Sequence, residues 1–457
     1  MITMPSSRRM FLTSASAASY RRILGANERV QVGFIGCGVV ARRHLQDFKN
    51  QKDVQLAAMC DVYRPRFEQA IADFEPGAKG CQDFRRVLES KDIQAVVVST
   101  PDHWHALISI MACAAGKDVY VEKPMTVFVK EGRWMIEAAR RYQRVVQVGT
   151  QQRSGPHYRK AAQEILPGGY IGKILSVRVA GFRNVMPGFG NPPDSAPPPD
   201  MDYDLWLGPA PQRPYNPNRS LYHFRWFWDY SGGQMTNLGV HEMDIVLWAL
   251  KAKGPTAASS SGGRFGCEDN GEVPDTQDAL LEFPHCNVLF SYREASTGHN
   301  GGTGLEFLGT KGSMKISRSG YQVLPDMKMP PGGAVPVYVG QPAIPRNGPQ
   351  HLFERPKPEP WIEPLEASGS ELEQFSLHAR NFIDCVKSRQ RPNADVEFGH
   401  QATTACHLAN ISLRTGRKLR WDPEKEEILG DREASACLVR PYRKPWDREL
   451  RSLGFGG

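Results

Sequence analysis

The spacing of apolar residues divides the chain into two regimes. Residues 30–35, Val-Gln-Val-Gly-Phe-Ile, read as a buried strand, and apolar runs at 54–60, 95–99, 118–122 and 145–148 repeat it with helical spacings between them. Strand and helix in alternation predict a doubly wound parallel sheet whose strand ends face a ligand crevice. Beyond residue 150 the runs become short and β-rich, at 174–180, 279–283 and 288–293, set apart by turn residues. Helical spacing returns at 235–250, 371–388 and 400–415, so the second regime predicts an α/β domain of another kind. Pro- and Gly-rich stretches at 186–199 and 325–360 read as long surface loops or lids, and no internal repeat is present.

Composition narrows the class. With 40% hydrophobic and 23% charged residues over 457 positions, the chain has the proportions of a folded protein of more than one domain. The net charge is +8, but its basic residues are dispersed and nowhere interleave with aromatics as a nucleic-acid groove requires. No run approaches the roughly 20 apolar residues of a membrane span. The nine cysteines are scattered without a Cys-x-x-Cys pair, which argues against zinc, a dithiol site or a complete disulfide framework. The segment Ser7-Arg8-Arg9-Met10-Phe11-Leu12, followed by a mildly apolar stretch to residue 20, reads as a twin-arginine signal for export to the periplasm. The alternative is a basic tail on a cytoplasmic protein.

After the first strand comes Gly36-Cys37-Gly38-Val39-Val40-Ala41, the G-x-G-x-x-A form of a dinucleotide fingerprint. Gly36 suits the tight turn, Gly38 leaves room for a pyrophosphate, and the helix that follows offers unpaired N–H groups. Asp61, at the end of the next strand, stands where a carboxylate accepts from the adenosine ribose and repels an added phosphate, so NAD is the expected cofactor. Arg64 would soften that preference toward NADP. Thr100, Pro101, His105, Glu122, Lys123 and Gln151 fall at strand ends facing the same crevice.

Glu122-Lys123-Pro124 resembles the signature of the Gfo/Idh/MocA family, named for glucose-fructose oxidoreductase, inositol dehydrogenase and rhizopine catabolism. The segments at 100–106 (Thr-Pro-Asp-His-Trp-His-Ala), 149–153 (Gly-Thr-Gln-Gln-Arg), 232–244 and 305–314 are similar to the family's later motifs, in order, over about 30–421. The resemblance implies a Rossmann domain at 30–150 and a substrate-binding domain at 151–430 built on a large, mostly antiparallel sheet that carries the oligomer contact. An arm at 1–29 and an extension at 431–457 flank them.

The chemistry implied is hydride transfer between nicotinamide and a hydroxyl or carbonyl of a sugar, inositol or glycoside. Lys123 is the expected acid/base, because burial beside a cationic ring lowers a lysine toward a useful pKa. Pro124 is a candidate for a cis peptide. His241 is expected to assist. If 235–250 is one helix, Asn237 lies one turn before it on the same face, where most relatives carry an aspartate. The cluster Arg225-Trp226-Phe227-Trp228-Asp229-Tyr230 offers an aromatic platform for a sugar ring, and Arg153, Arg183, Asn184, Trp228, Tyr230 and Asp244 are assigned to the substrate wall. Hydride transfer with a lysine base calls for no metal. Two alternatives stand beside this reading: glycoside cleavage by transient oxidation and elimination with recycled NAD, and a nucleotide-binding sensor without turnover.

Overall fold

The computed structural model describes residues 29–297, 304–328 and 359–456; the twin-arginine segment at Arg8 and Arg9, and most of the loop expected at 325–360, lie outside them. The first sheet is wholly parallel, with strands β1 (Val30–Ile35), β2 (Val54–Cys60), β3 (Lys79–Cys81), β4 (Ala95–Val98), β5 (Asp118–Val121) and β6 (Val146–Val148). Its order is β3-β2-β1-β4-β5-β6, so the connection reverses direction between β1 and β4 and opens a crevice at their carboxyl ends. The four central strands are buried on both faces, which is why they read as near-continuous apolar runs. The Lys-Gly-Cys strand β3 carries no such signal, because it is a short, exposed edge.

The second sheet has ten strands: β7 (Ile174–Phe182), β8 (Ala257–Gly263), β9 (Thr276–Glu282), β10 (Asn287–Arg293), β11 (Gly304–Gly309), β12 (Gly312–Ser317), β13 (Gly320–Pro325), β14 (Leu365–Ser368), β15 (Leu419–Asp422) and β16 (Glu427–Ile428). The order is β14-β13-β12-β11-β7-β10-β9-β8-β15-β16, and only the central β7–β10 pair is parallel. The fold is therefore α/β, a Rossmann sheet joined to a mostly antiparallel one. One face of the large sheet packs Val177, Val179, Phe290 and Phe307 against helices Gly239–Leu250 and Val396–Thr415. The other face carries Arg178, Glu306 and Lys315 in a cross-strand row, with Leu289 45% exposed.

Chain from the far end returns to the first sheet. Phe382, Ile383 and Val386 of helix Glu371–Ser388 share a core with Val30, Val32 and Phe34, while Arg380 and Lys387 of that helix both bind Asp53. Trp446, Leu450 and Phe455 pack into the apolar cluster on the sheet's other side.

The single helix expected over 235–250 is broken. It runs as Gly233–Asn237 and then Gly239–Leu250. In a continuous helix the Asn237 carbonyl would accept the N–H of His241. Here it accepts from Lys123 Nζ at 3.0 Å, and His241 N–H turns to Leu238 O at 3.1 Å.

Candidate active site

A cleft with about 960 Å³ of space opens at the carboxyl ends of β1, β2, β4 and β5, roofed by residues 221–225 of the second domain. Its floor begins at Gly36, held at φ +93°, where a Cβ would stand 2.6 Å from the Ser99 carbonyl group; glycine is required there on both counts. At Gly38 the only atom within 4 Å of an added Cβ would be one of Arg66, so the backbone is open to a ligand. The helix α1 (Val39–Lys49) starts at this point with no capping side chain and no acidic residue in its first turn, leaving its N–H groups for an anion. Val39, 70% exposed, and Val40 line the opening.

Asp61 follows β2. One carboxylate oxygen accepts from Cys37 N–H at 2.8 Å and the other from Tyr63 N–H at 2.9 Å. Burial pushes this carboxyl up, against the opposing charge of Arg66. Arg66, not Arg64, is the cation beside Asp61 and Gly38 in the cleft, because Arg64 points outward to Asp200 at 3.5 Å.

Lys123 follows β5 in a cis Lys123–Pro124 peptide. Its Nζ donates to Asn237 O and Oδ1, at 3.0 and 2.9 Å. Burial pushes the ammonium down to about 8, against the opposing charge of Glu122. Glu122 is itself committed: His44 Nε2 lies 2.6 Å from Oε1, Gln151 donates to the same oxygen at 3.1 Å, and Lys123 N–H donates to Oε2 at 3.2 Å. Burial alone would raise the Glu122 carboxyl, but the His44 hydrogen bond and charge outweigh it and hold it below the usual range. His105 ties two loops together, its ring nitrogens 2.7 Å from Pro124 O and 2.9 Å from Thr100 O. Thr100 and Pro101 line the cleft, and the Thr100 hydroxyl has no protein partner.

His241 is buried behind this group rather than on the cleft wall. Burial, then the charge of Lys123, pushes its ring well below the ordinary value, so the ring is neutral, and Nδ1 has no partner among the described residues. Asn237 faces Lys123 with its oxygen and Gln234 Oε1 with its nitrogen at 3.1 Å.

The residues assigned to a substrate wall lie apart from the cleft. Arg153 and Asp244 form a buried ion pair at 2.7 Å, with the guanidinium over Trp248 and Phe398. Arg183 pairs through its backbone with Arg293, and Asn184 caps Met186 N–H. Trp228 lies under Arg414 at a separate small cavity, and Tyr230 is fully buried against His103 and Trp206. Cleft residues outside the sequence-based set include Arg66, Asp102, Trp104, Leu221 and Tyr222, with Arg225 at the edge of the aromatic cluster. Asp102 stood inside a quoted motif, whereas Leu221 and Tyr222 sit in a loop with no periodicity to mark them. Asp102 is buried and accepts from Ser231 Oγ at 2.5 Å. Among the described residues no group of three or more His, Cys, Asp or Glu is arranged to hold a metal ion.

Three family profiles match. "Oxidoreductase family, NAD-binding Rossmann fold" matches residues 30–150, "Oxidoreductase family, C-terminal alpha/beta domain" matches 160–259 and 360–448, and "GFO/IDH/MocA C-terminal domain" matches 211–315. The inositol 2-dehydrogenase of Salmonella typhimurium is 29% identical over 150 residues, 32% of this chain and 44% of that protein. A glycosyl hydrolase family 109 protein of Shewanella sp. (strain ANA-3) is 32% identical over 125 residues, 26% of this chain and 27% of that protein. The matched stretch thus spans less than half the length of either relative. Among solved structures, a levoglucosan dehydrogenase in complex with NADH and levoglucosan superposes with TM-score 0.62 at 18% identity, covering 86% of this chain and 99% of that one. The WlbA dehydrogenase from Bordetella pertussis, in complex with NADH and UDP-GlcNAcA, gives 0.61 at 18%, covering 86% and 99%. At these identities the likeness is one of fold.

Proposed function

The chain belongs to the GFO/IDH/MocA oxidoreductase family, and on that premise we propose that it moves a hydride between NAD and a hydroxyl or carbonyl of a sugar, inositol or glycoside, with Lys123 taking or returning the hydroxyl proton. The cleft suits the dinucleotide: open space over Gly38, free N–H groups at the start of α1 and the Asp61 carboxylate are the features such a ligand needs. Gly36, Gly38, Val39, Val40, Asp61, Thr100 and Pro101 would hold it, with Arg66 the residue to tolerate a phosphate on the ribose. When bound, the nicotinamide accepts or donates the hydride.

The observation that carries this reading is the setting of Lys123. A neutral amine has two N–H bonds and one lone pair. Asn237 supplies two acceptors, O and Oδ1, and engaging both N–H bonds there leaves the lone pair to take a hydroxyl proton in the cleft. The pKa of about 8 leaves about a tenth of the amine neutral at pH 7, far more than an ordinary lysine has. Asn237 therefore acts on Lys123, and His241 assists as a neutral ring behind it. Purified protein titrated with NADH, and separately supplied with NAD and screened against sugars, inositols and glycosides, tests the reading. Fluorescence quenching or enhancement by NADH and formation of reduced nicotinamide with one substrate class are expected; failure to bind NADH overturns it.

The family 109 match favours a second reading, in which a glycoside is oxidised, loses its aglycone and is reduced again. Aglycone release without accumulation of reduced cofactor distinguishes it. The Arg8-Arg9 pair supports export of the folded, loaded protein to the periplasm, and the open face of the large sheet supports a homo-oligomer.

A further inference from the structure

Two guanidinium groups in the cleft have no carboxylate partner among the described residues, and they stand at different ends. Arg66 lies at the fingerprint end, beside Gly38 and Asp61, and donates to Leu221 O at 3.3 Å. Arg225 lies at the end lined by Lys123 and Asp102, on the short turn His223–Trp226, and its one hydrogen bond is from Nη1 to Tyr222 O at 3.1 Å. Several arginines elsewhere in the chain are matched to acids, Arg153 to Asp244, Arg264 to Asp269, Arg440 to Asp229 and Arg443 to Asp204, whereas the two in the cleft are not. Arg225 is only partly shielded from solvent, and with no ion pair its N–H groups are open to an anion that enters the cleft.

The surroundings of Arg225 fix how that ligand is met. Its guanidinium carbon is 4.6 Å from the Phe224 ring centroid and 5.5 Å from that of Tyr222, so aromatic rings take its flat faces and leave the N–H edges for contact. The turn is held from the cofactor side, since Arg66 binds the carbonyl of Leu221, a residue at φ +60°. Of the acids nearby, Asp102 feels the charge of Arg225 but spends its hydrogen bond on Ser231 and makes no ion pair with the guanidinium, and Glu122 is hydrogen-bonded to His44. A guanidinium edge pairs best with the two oxygens of a carboxylate or phosphate.

We propose that the substrate of this site is an anionic carbohydrate, a sugar carrying a carboxylate or phosphate, whose oxyanion is gripped by Arg225 while the hydroxyl to be oxidised lies at Lys123. The proposal rests on the hydride-transfer reading above and adds the charge of the substrate to it. It divides the cleft between Arg66, on the dinucleotide, and Arg225, on the substrate.

The test uses NADH-loaded protein and matched pairs: glucuronate with glucose, galacturonate with galactose, and a hexose monophosphate with the free hexose. Binding is followed by calorimetry on the NADH-loaded protein, and turnover by the reduced nicotinamide formed when NAD is supplied in place of NADH. The anionic member of at least one pair is expected to bind roughly 10- to 100-fold more tightly than its neutral partner, and Arg225→Met should erase that preference through KM while NADH binding stays as in the wild type. Arg225→Lys should keep part of it. The uronate and phosphate arms identify which oxyanion is bound. Tighter binding of the neutral members, or a preference unchanged in Arg225→Met, overturns the proposal. So does a loss of NADH affinity in that variant, which would place the guanidinium on the cofactor's pyrophosphate. A wild-type protein that fails to bind NADH at all refutes the underlying reading instead.

Discussion

Protonated Lys123 offers three N–H donors, and the carbonyl and side-chain oxygens of Asn237 take two of them. Only the neutral amine can accept a proton, so oxidation should quicken as pH rises through about 8 and level off above it. Lys123→Met should cut turnover by roughly 10²-fold or more while the NADH dissociation constant changes little, as steady-state kinetics and fluorescence titration will show. The amide at 237 makes a sharper experiment. Asn237→Asp would put a carboxylate at the oxygen now 2.9 Å from Nζ, favouring the ammonium and moving the inflection of the kcat/KM profile upward by about one unit or more. An inflection that stays near its original pH would mean that position 237 does not govern Lys123 in solution. His241 should stay neutral throughout the working range, since burial already holds its ring well below the ordinary value.

At the scale of elements, the break at Leu238 and the docking of helix Glu371–Ser388 have one cause: a group elsewhere in the chain outcompetes the local pattern. Lys123 captures the carbonyl of Asn237 and interrupts a helix that local spacing would have continued. Helix Glu371–Ser388, separated by more than three hundred residues from β1, buries Phe382 against Phe48 and Tyr120 of the first sheet region. Phe382→Ala should therefore cost about 3–5 kcal/mol in urea unfolding, as for other buried phenylalanines. The Arg380 hydrogen bond, with help from Lys387, holds the Asp53 carboxyl well below the usual range. A carboxyl lowered in the folded state stabilises it above the ordinary carboxylate pKa and loses that contribution as pH falls through its own, so the dock should loosen only in strong acid.

Across the whole molecule, the cleft lies at the strand ends of the first sheet and is complete only because residues 221–225 reach over the first domain. The open face of the large sheet, with Leu289 45% exposed beside Arg178, Glu306 and Lys315, offers the self-complementary mixture of charge and apolar surface that an isologous contact needs. Light scattering should report an oligomer that Leu289→Lys dissociates. For the arm, replacing Arg8 and Arg9 together by Lys should leave the protein in the cytoplasm of its host, as fractionation of cells expressing both forms would show.

Much of this was legible in the sequence, because it depends on neighbours along the chain. Strand β2 and helix Glu371–Ser388 fall where their apolar spacing puts them, and the turn at Gly36 is marked by the glycine its positive φ demands. The cleft likewise gathers Gly36, Asp61, Thr100, Glu122 and Lys123, since strand ends of a parallel sheet converge by topology. What required the tertiary structure were interactions between segments far apart. Arg153 and Asp244, read as substrate ligands, are used up on each other, because a buried charge takes the nearest opposite charge the fold supplies. Arg225 and Tyr222 lie about a hundred residues from Lys123 in a loop without periodicity, and only packing brings them to it. The sequence alone determined the class of fold and which residues converge at the strand ends of the first sheet; which charged side chains stay unpaired was decided by pairing between segments far apart in the chain, which no local pattern encodes.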